Sequence, residues 1–411
     1  MGHVLDAVGA TNQSMGGAGT ALPLDAMGAL QWNPASITGL RHAEVGFSFA
    51  AFGPETSIES SVEAGAFGPG TPGGRLHGST KSDVGISPIP TFAATTGRTD
   101  SPWSFGLGAF AIGGFGVDYP VSSQNPILTP QPPDGFGFGA IYSQFQLMQF
   151  CPTVARRFES GWSVGFAPTF NWATLAIDPF SAAAPNADGR YASAAHGDSA
   201  WGIGFQAGVF YESAEPGWNL GVSYKSPQWF QDFKMNGWDD TGGARQLQMD
   251  LDYPSILSIG GAYTGFKRLQ IATDIRYIDY ENTDGFQSAG FDANGAVTGF
   301  GWDSIWVLSS GVAIDVNDRL QWRFGYTYNQ SPIDSANIFY NSPAPAIIQH
   351  HLSTGFTREV ADGWMCSLAY KHGFQNTVSG KWWGSTGEVA GTRIASTLAT
   401  NSLSAGLTKR F

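Results

Sequence analysis

Long apolar runs are absent from this chain. No stretch approaches the 18 or more consecutive apolar residues that a membrane-spanning helix needs, so a helical membrane protein is excluded on length. Charge is scarce too: 13% of the residues are charged, about half the share of an ordinary soluble domain. What charge exists is unbalanced, −12 at neutral pH, and a phosphate backbone demands a basic footprint, so nucleic acid is not an expected partner. The two cysteines, Cys151 and Cys366, lie far apart without CxxC or metal-ligand spacing, and they read as free wall residues. Residues 1–30 hold no basic start followed by an apolar core, so the numbering reads as that of a mature or trimmed chain.

Catalytic patterns are missing as well. His350, His351 and Ser353 are close in sequence, but no serine sits in a GxSxG turn. Gly106-Leu-Gly-Ala-Phe-Ala lacks the following helix that a dinucleotide site requires. No enzyme, cofactor or metal site is expected.

What is present is glycine and aromatic residues: 55 Gly, 29 Phe, 14 Trp and 13 Tyr, which suit tightly turned strands carrying aromatic girdles. Alternation with period two recurs along nearly the whole chain. In 320–329, Leu320, Trp322, Phe324, Tyr326 and Tyr328 point one way while Gln321, Arg323, Gly325, Thr327 and Asn329 point the other. One face suits lipid and the other a polar lumen. Trp218 to Lys225 splits in the same way, and Leu269 to Tyr277 places Asp274 and Arg276 inside.

Segments of this kind predict about fourteen strands, near 43–52, 82–97, 103–115, 140–157, 162–177, 200–212, 217–233, 247–264, 267–280, 303–315, 319–330, 347–359, 363–376 and 399–411. Short turns are expected at 98–102, 159–161, 213–217, 265–266, 317–318 and 361–362. Long loops are expected at 53–81, 116–139, 178–199, 234–246, 281–302, 331–346 and 377–398. A bilayer forbids unpaired backbone facing lipid, so crossing strands must close into a barrel. An even strand count with short and long connections in strict alternation is the pattern of an outer-membrane barrel, with short periplasmic turns and long outer loops. A large soluble sandwich or β-helix has no reason to keep that parity. The fold class is therefore an all-β, transmembrane antiparallel barrel in the bacterial outer membrane, with both termini periplasmic. The chain is expected to act as a monomer, in contact with the lipid bilayer and lipopolysaccharide. The alternating end, Leu403 to Phe411, resembles the C-terminal signal read by outer-membrane assembly machinery, although Lys409 stands where that signal usually has an aromatic.

Residues 1–42 do not alternate, and they carry Leu22, Leu24, Met27, Leu30, Trp32 and Ile37 ahead of the first strand. The nearest place to bury them is the lumen. A plug over 1–42 and a barrel over 43–411 are the expected domains.

The run Gly16 to Leu22, followed by Asp25-Ala-Met-Gly-Ala-Leu-Gln-Trp-Asn33-Pro34-Ala35, resembles the N-terminal hatch of the FadL/TodX family of outer-membrane transporters. Ile112 to Pro120 is similar to the family's third strand and its following loop; Leu220 to Pro227 and Trp322 to Pro332 resemble two later strands that run into loops. The resemblance implies fourteen strands and a passive transporter of long-chain fatty acids or other hydrophobic compounds, with a detergent as a mimic. It also implies capture by outer loops, a site beside the hatch, and lateral release where the third strand kinks. Gly113, Gly114, Phe115 and Gly116 are the candidate lateral gate, because glycines that interrupt a strand mark a bulge. Lys225, Arg276 and Arg323 face inward and are candidate anchors for a carboxylate; Leu24, Met27 and Phe115 are candidates for an oily body. Phe286, Phe291, Phe300 and the stretch 126–138 suggest a greasy landing surface on the loops. Aromatic or aliphatic hydrocarbons are the alternative cargo. A surface adhesin with an inert barrel is the competing class.

Overall fold

The computed structural model describes residues 1–97, 100–214, 217–238 and 243–411. Fourteen strands form one antiparallel barrel: β1 Glu44–Val62, β2 Ser87–Thr95, β3 Trp103–Tyr119, β4 Ile141–Arg157, β5 Trp162–Asp178, β6 Ala194–Glu212, β7 Trp218–Lys225, β8 Ser255–Tyr263, β9 Leu269–Asp279, β10 Ile305–Asn317, β11 Leu320–Asn329, β12 His350–Ala361, β13 Trp364–Gly380 and β14 Thr392–Arg410. The sheet closes because β1 pairs with β14 from Glu44↔Arg410 to Val62↔Thr392 while its other edge pairs with β2.

Alternation decides the faces. In β11, Trp322, Phe324, Tyr326 and Tyr328 are exposed, whereas Arg323, Thr327 and Asn329 are buried. In β7, Trp218, Leu220, Val222 and Tyr224 point outward while Asn219, Ser223 and Lys225 point in. Among the described residues no helix is long and apolar enough to cross a membrane.

Several boundaries differ from expectation. β1 continues to Val62, β13 to Gly380, and β14 begins at Thr392, inside segments expected to be loops. These extensions need no apolar alternation, because their ladders with one another satisfy the backbone: Ser61 pairs with Arg393 and Gly380 with Ile394. β7 ends at Lys225, where Ser226-Pro227 stops the strand, and β8 starts only at Ser255. The alternation at 233 and 247 belongs instead to a separate hairpin, Phe233–Trp238 with Ala244–Met249, since a loop hairpin carries the same period as a wall strand. The turns expected at 98–102 and 213–217 and the loop at 234–246 include residues 98–99, 215–216 and 239–242, which lie outside the described residues.

The first forty residues fold inside the barrel as α1 Ala10–Ser14, α2 Ala26–Trp32 and a 3₁₀ turn Pro34–Gly39. Asp25 caps α2 by accepting the Gly28 N–H at 2.9 Å. Asn33 caps the 3₁₀ turn by accepting the Ala35 N–H at 3.0 Å, with Pro34 in the first position, where a missing N–H costs nothing. Leu22, Met27, Leu30, Trp32 and Ile37 are buried, as their placement in a plug requires; Leu24 is half-buried.

Candidate functional site

The plug packs closely on the wall backbone of β5 to β8. Asn33 donates to Thr20 O at 2.9 Å and to Val209 O of β6 at 3.0 Å. Contact this close requires glycine in the wall: a Cβ at Gly208 would stand 2.0 Å from Asn33 Oδ1, and one at Gly221 would stand 2.3 Å from Thr20 O. Those glycines pair across the sheet with others, Gly165 with Gly208 and Gly221 with Gly260, so the plug rests on a groove without side chains.

A buried ion pair fixes the same side. Asp274 Oδ2 accepts the N–H groups of Gly19 and Thr20 at 2.9 Å each and the Thr20 hydroxyl at 2.8 Å, and Arg276 donates to it at 2.5 Å. Arg276 also donates to Gly17 O and Ser309 and lies 3.7 Å from the Trp32 ring centroid. Plug and wall thus satisfy Asp274 Oδ2 and both terminal nitrogens of Arg276, while Asp274 Oδ1 and Arg276 Nε are buried without a hydrogen-bond partner.

Between β2 and β3 the wall is interrupted. β2 pairs with β3 only from Thr95↔Gly106 to Thr91↔Phe110, although β2 pairs with β1 as far as Ser87↔Phe52 and β3 pairs with β4 up to Tyr119↔Ile141. Beyond Phe110, among the described residues, hydrogen bonds next cross the gap ahead of β2, where Asp83 N–H donates to Asp118 O and Asp118 N–H to Ser82 Oγ, both at 2.8 Å. Two sequence features cause the break. Pro88 and Pro90, two residues apart, remove two donors from one edge of β2. In β3, Ile112 is an extra residue, since Ala111 and Gly113 face consecutive residues Met148 and Leu147.

The plug's leading segment covers this break from inside. Leu5 N–H donates to Ile112 O at 2.8 Å, Gly114 N–H donates to His3 O at 2.9 Å, and Val4 bridges Gly113. Behind it lies an aromatic chamber. The His3 ring stacks on Phe286 with centroids 4.8 Å apart and planes 6° apart, and meets Tyr253 edge-on at 5.5 Å; Tyr280, Trp302 and Phe145 lie within 5.9 Å. Phe115 continues the chamber, 5.0 Å from Phe145 and 5.9 Å from Phe300. Neither His3 nitrogen has a protein partner, and burial, aided by the nearby amino terminus, holds its pKa down to about 3, so the ring is neutral. Asp6 ties the segment to the wall through an ion pair with Lys371 of β13. Burial alone would raise the Asp6 carboxyl, but the Lys371 ammonium holds it well below the usual range.

The sequence-derived candidates fall into separate places. Gly113, Gly114, Phe115 and Gly116 gather at the break. Arg276 and Arg323 do not face the chamber: Arg276 is held by the plug, and Arg323 donates to Gln321, Ser14 and Thr357. Lys225 is buried and donates to Gln149 at 3.1 Å. Met27 lies against Gly9 and Gly46, and Leu24 packs with Ala262, Ala272 and Ala313, so both join plug to wall. Asp25, Asn33, Pro34 and Ala35 shape and dock the plug. Phe286 and Phe300 turn inward to the chamber instead of lying on a landing surface, because the loop after β9 folds into the mouth; Phe291 packs on Tyr340 at 5.6 Å. Cys151 and Cys366 are free thiols. Sequence reasoning missed His3, Phe145, Tyr253, Tyr280 and Trp302, for which no local pattern gave a signal. It also passed over Pro88 and Pro90, whose spacing was visible.

Residues 1–379 match the family model described as Outer membrane protein transport protein (OMPP1/FadL/TodX). The solved toluene transporter TodX of Pseudomonas putida is 17% identical, with 99% of each chain covered and a TM-score of 0.70. A Pseudomonas aeruginosa FadL homologue is 17% identical over 100% of each chain with a TM-score of 0.71, and the Ralstonia pickettii toluene transporter TbuX is 17% identical over 99% of each with 0.67. No curated protein matches the sequence.

Proposed function

We propose, from the premise that the chain belongs to the FadL/TodX family of outer membrane transport proteins, that it takes up hydrophobic small molecules and releases them sideways through the β2–β3 break. In this reading the long loops face outward, the short turns and both termini face the periplasm, and no chemical step occurs. The observation that carries it is the missing ladder beside Ile112–Gly116, set against a plug packed closely on the wall glycines of β5 to β8. A straight path would need that plug to leave. A side exit asks only the leading segment to yield three backbone contacts.

The physical logic suits greasy cargo. Such a molecule dissolves poorly in periplasmic water, and a wall opening delivers it directly into the bilayer. Burial contributes about 0.8 kcal/mol per methylene, so neighbouring chain lengths differ by only a few-fold and broad specificity follows. Long-chain fatty acids, the cargo expected from the sequence, fit this route as elongated apolar bodies. Single-ring hydrocarbons fit it also, because the chamber already stacks the flat ring of His3 on Phe286.

Deleting Ile112 removes the bulge and tests the route. The deletion is expected to lower cellular uptake of labelled oleate and toluene at least tenfold, while the barrel keeps its heat-modifiable mobility on gels. Undiminished uptake by the folded deletion variant rejects the lateral exit.

A further inference from the structure

Inside the barrel only the leading segment of the plug has to yield; outside it a second cover lies on the same strand. One edge of β1 carries two ladders, β2 as far as Phe52↔Ser87 and the outer segment Leu76–Lys81 from Ser57↔Lys81 onward. Residues 82–86 join the two, and on the way they step across the break to β3. Ser82 N–H still donates to Thr56 O of β1 at 3.0 Å, but Asp83 N–H donates to Asp118 O of β3, and Asp118 N–H donates to Ser82 Oγ. Val84 then rests on Gly116, where a Cβ would stand 3.4 Å from its Cγ2. The chain turns back at Gly85, whose φ of +73° lies in the left-handed region that favours glycine, and Ile86 returns beside Gly53 of β1.

Alternation decides which face is covered. Gly113 meets His3, Phe115 lies in the chamber and Val117 is buried, so these three point inward while Gly114 and Gly116 point toward lipid. Val84 therefore covers β3 from the lipid side, as His3–Leu5 cover it from the lumen. The outer cover is lightly held. Two hydrogen bonds join it to β3, Val84 is only half-buried, Ile86 is 73% exposed, and nothing lies within 4 Å of where a Cβ at Gly85 would stand. A segment with so few buried contacts opens locally at little cost. Both of its ends stay laddered to β1, so it can lift from β3 without leaving the wall.

We infer that residues 82–86 are an outer leaf of the exit, with Val84 the side chain that lifts from Gly116 and Gly85 the pivot. This rests on the proposed sideways route and adds a second barrier to it. Cargo that has passed His3–Leu5 and the bulge at Ile112 meets Val84 last, and the leaf closes over Gly116 again once the cargo is in the bilayer.

The test joins Val84→Cys to Gly116→Cys in the full chain and follows cellular uptake of labelled oleate and toluene before and after oxidation with copper phenanthroline. A leaf that is locked shut is expected to lower uptake of both about tenfold or more, and dithiothreitol to restore it. Val84→Cys alone, which retains the native Cys151 and Cys366, is expected to take up both equally well in either state. Uptake by the cross-linked protein that matches the reduced protein overturns the leaf, and so do thiols that peptide mass spectrometry shows unjoined, because Val84 then does not rest on Gly116. Should the paired substitution not fold, Val84→Ala decides: it removes the methyl groups that meet Gly116 and is expected to raise uptake, and unchanged uptake overturns the leaf. Uptake lowered by the Ile112 deletion but indifferent to the cross-link rejects this inference alone; uptake unaffected by the deletion rejects the route beneath it.

Discussion

The two sides of the lumen are built on opposite principles. From β5 to β9 the wall meets the plug with glycines, and the fully buried Asp274–Arg276 pair there binds plug backbone through Asp274 Oδ2 and Arg276 Nη2. Between β2 and β3 the ladder is broken, and among the described residues the backbone tie to the plug there is the short contact of His3–Leu5 with Ile112–Gly114. Many buried hydrogen bonds on one side and few on the other mean that local opening belongs to the second. One plug thus combines a fixed body with a leading segment that can yield.

Asp274→Ala is the strongest way to break this contrast, since it leaves the Arg276 guanidinium buried beside empty space; a loss of about 3–5 kcal/mol is expected. Chemical unfolding should show the loss, and planar-bilayer conductance should rise as the plug loosens. An unchanged midpoint and a silent bilayer would mean that the pair does not hold the plug. Gly208→Val comes next: the new side chain meets Asn33 Oδ1, and overpacking of about 1–3 kcal/mol should appear as a lower unfolding midpoint with the Asn33 amide bond to Val209 O disrupted.

The smallest effect concerns pH and only the yielding side. His3 is neutral when docked, with a pKa of about 3 against an ordinary value of 6.5. Its docking is therefore fully favourable above about pH 6.5 and weakens as pH falls from there toward 3, because the released segment takes up a proton that the docked one refuses. Hydrogen exchange should show residues 3–9 losing protection between pH 7 and pH 4.5 while residues 15–35 keep theirs. His3→Phe is expected to reduce that difference, leaving the part due to the buried Met1 amino group, and a parallel loss in both regions would contradict the division of the plug.

The wall was legible in the sequence because a strand between lipid and a wet lumen writes its two faces into alternate residues, as in Leu320 to Asn329. The plug was legible for the converse reason: Leu22 to Ile37 are apolar without alternation. The irregularity of β3 was legible through Gly113 to Gly116, next to the bulge at Ile112. The inward direction of Arg276 and Arg323 was also read correctly, but not their partners, since the Gly17 carbonyl lies far away in sequence. The chamber had no local signature, because Tyr253 comes from the β7–β8 connection and Phe286 and Trp302 from the β9–β10 connection, and nothing in the sequence near either points to the other.

By itself the sequence determined which segments cross a bilayer, how many there are, and that the first forty residues must be buried, because periodicity and composition are properties of neighbours along the chain. Only the tertiary structure decided where the wall fails to pair and what covers the gap. These depend on registers and close approaches between residues hundreds of positions apart, which closure of the barrel brings within hydrogen-bonding distance.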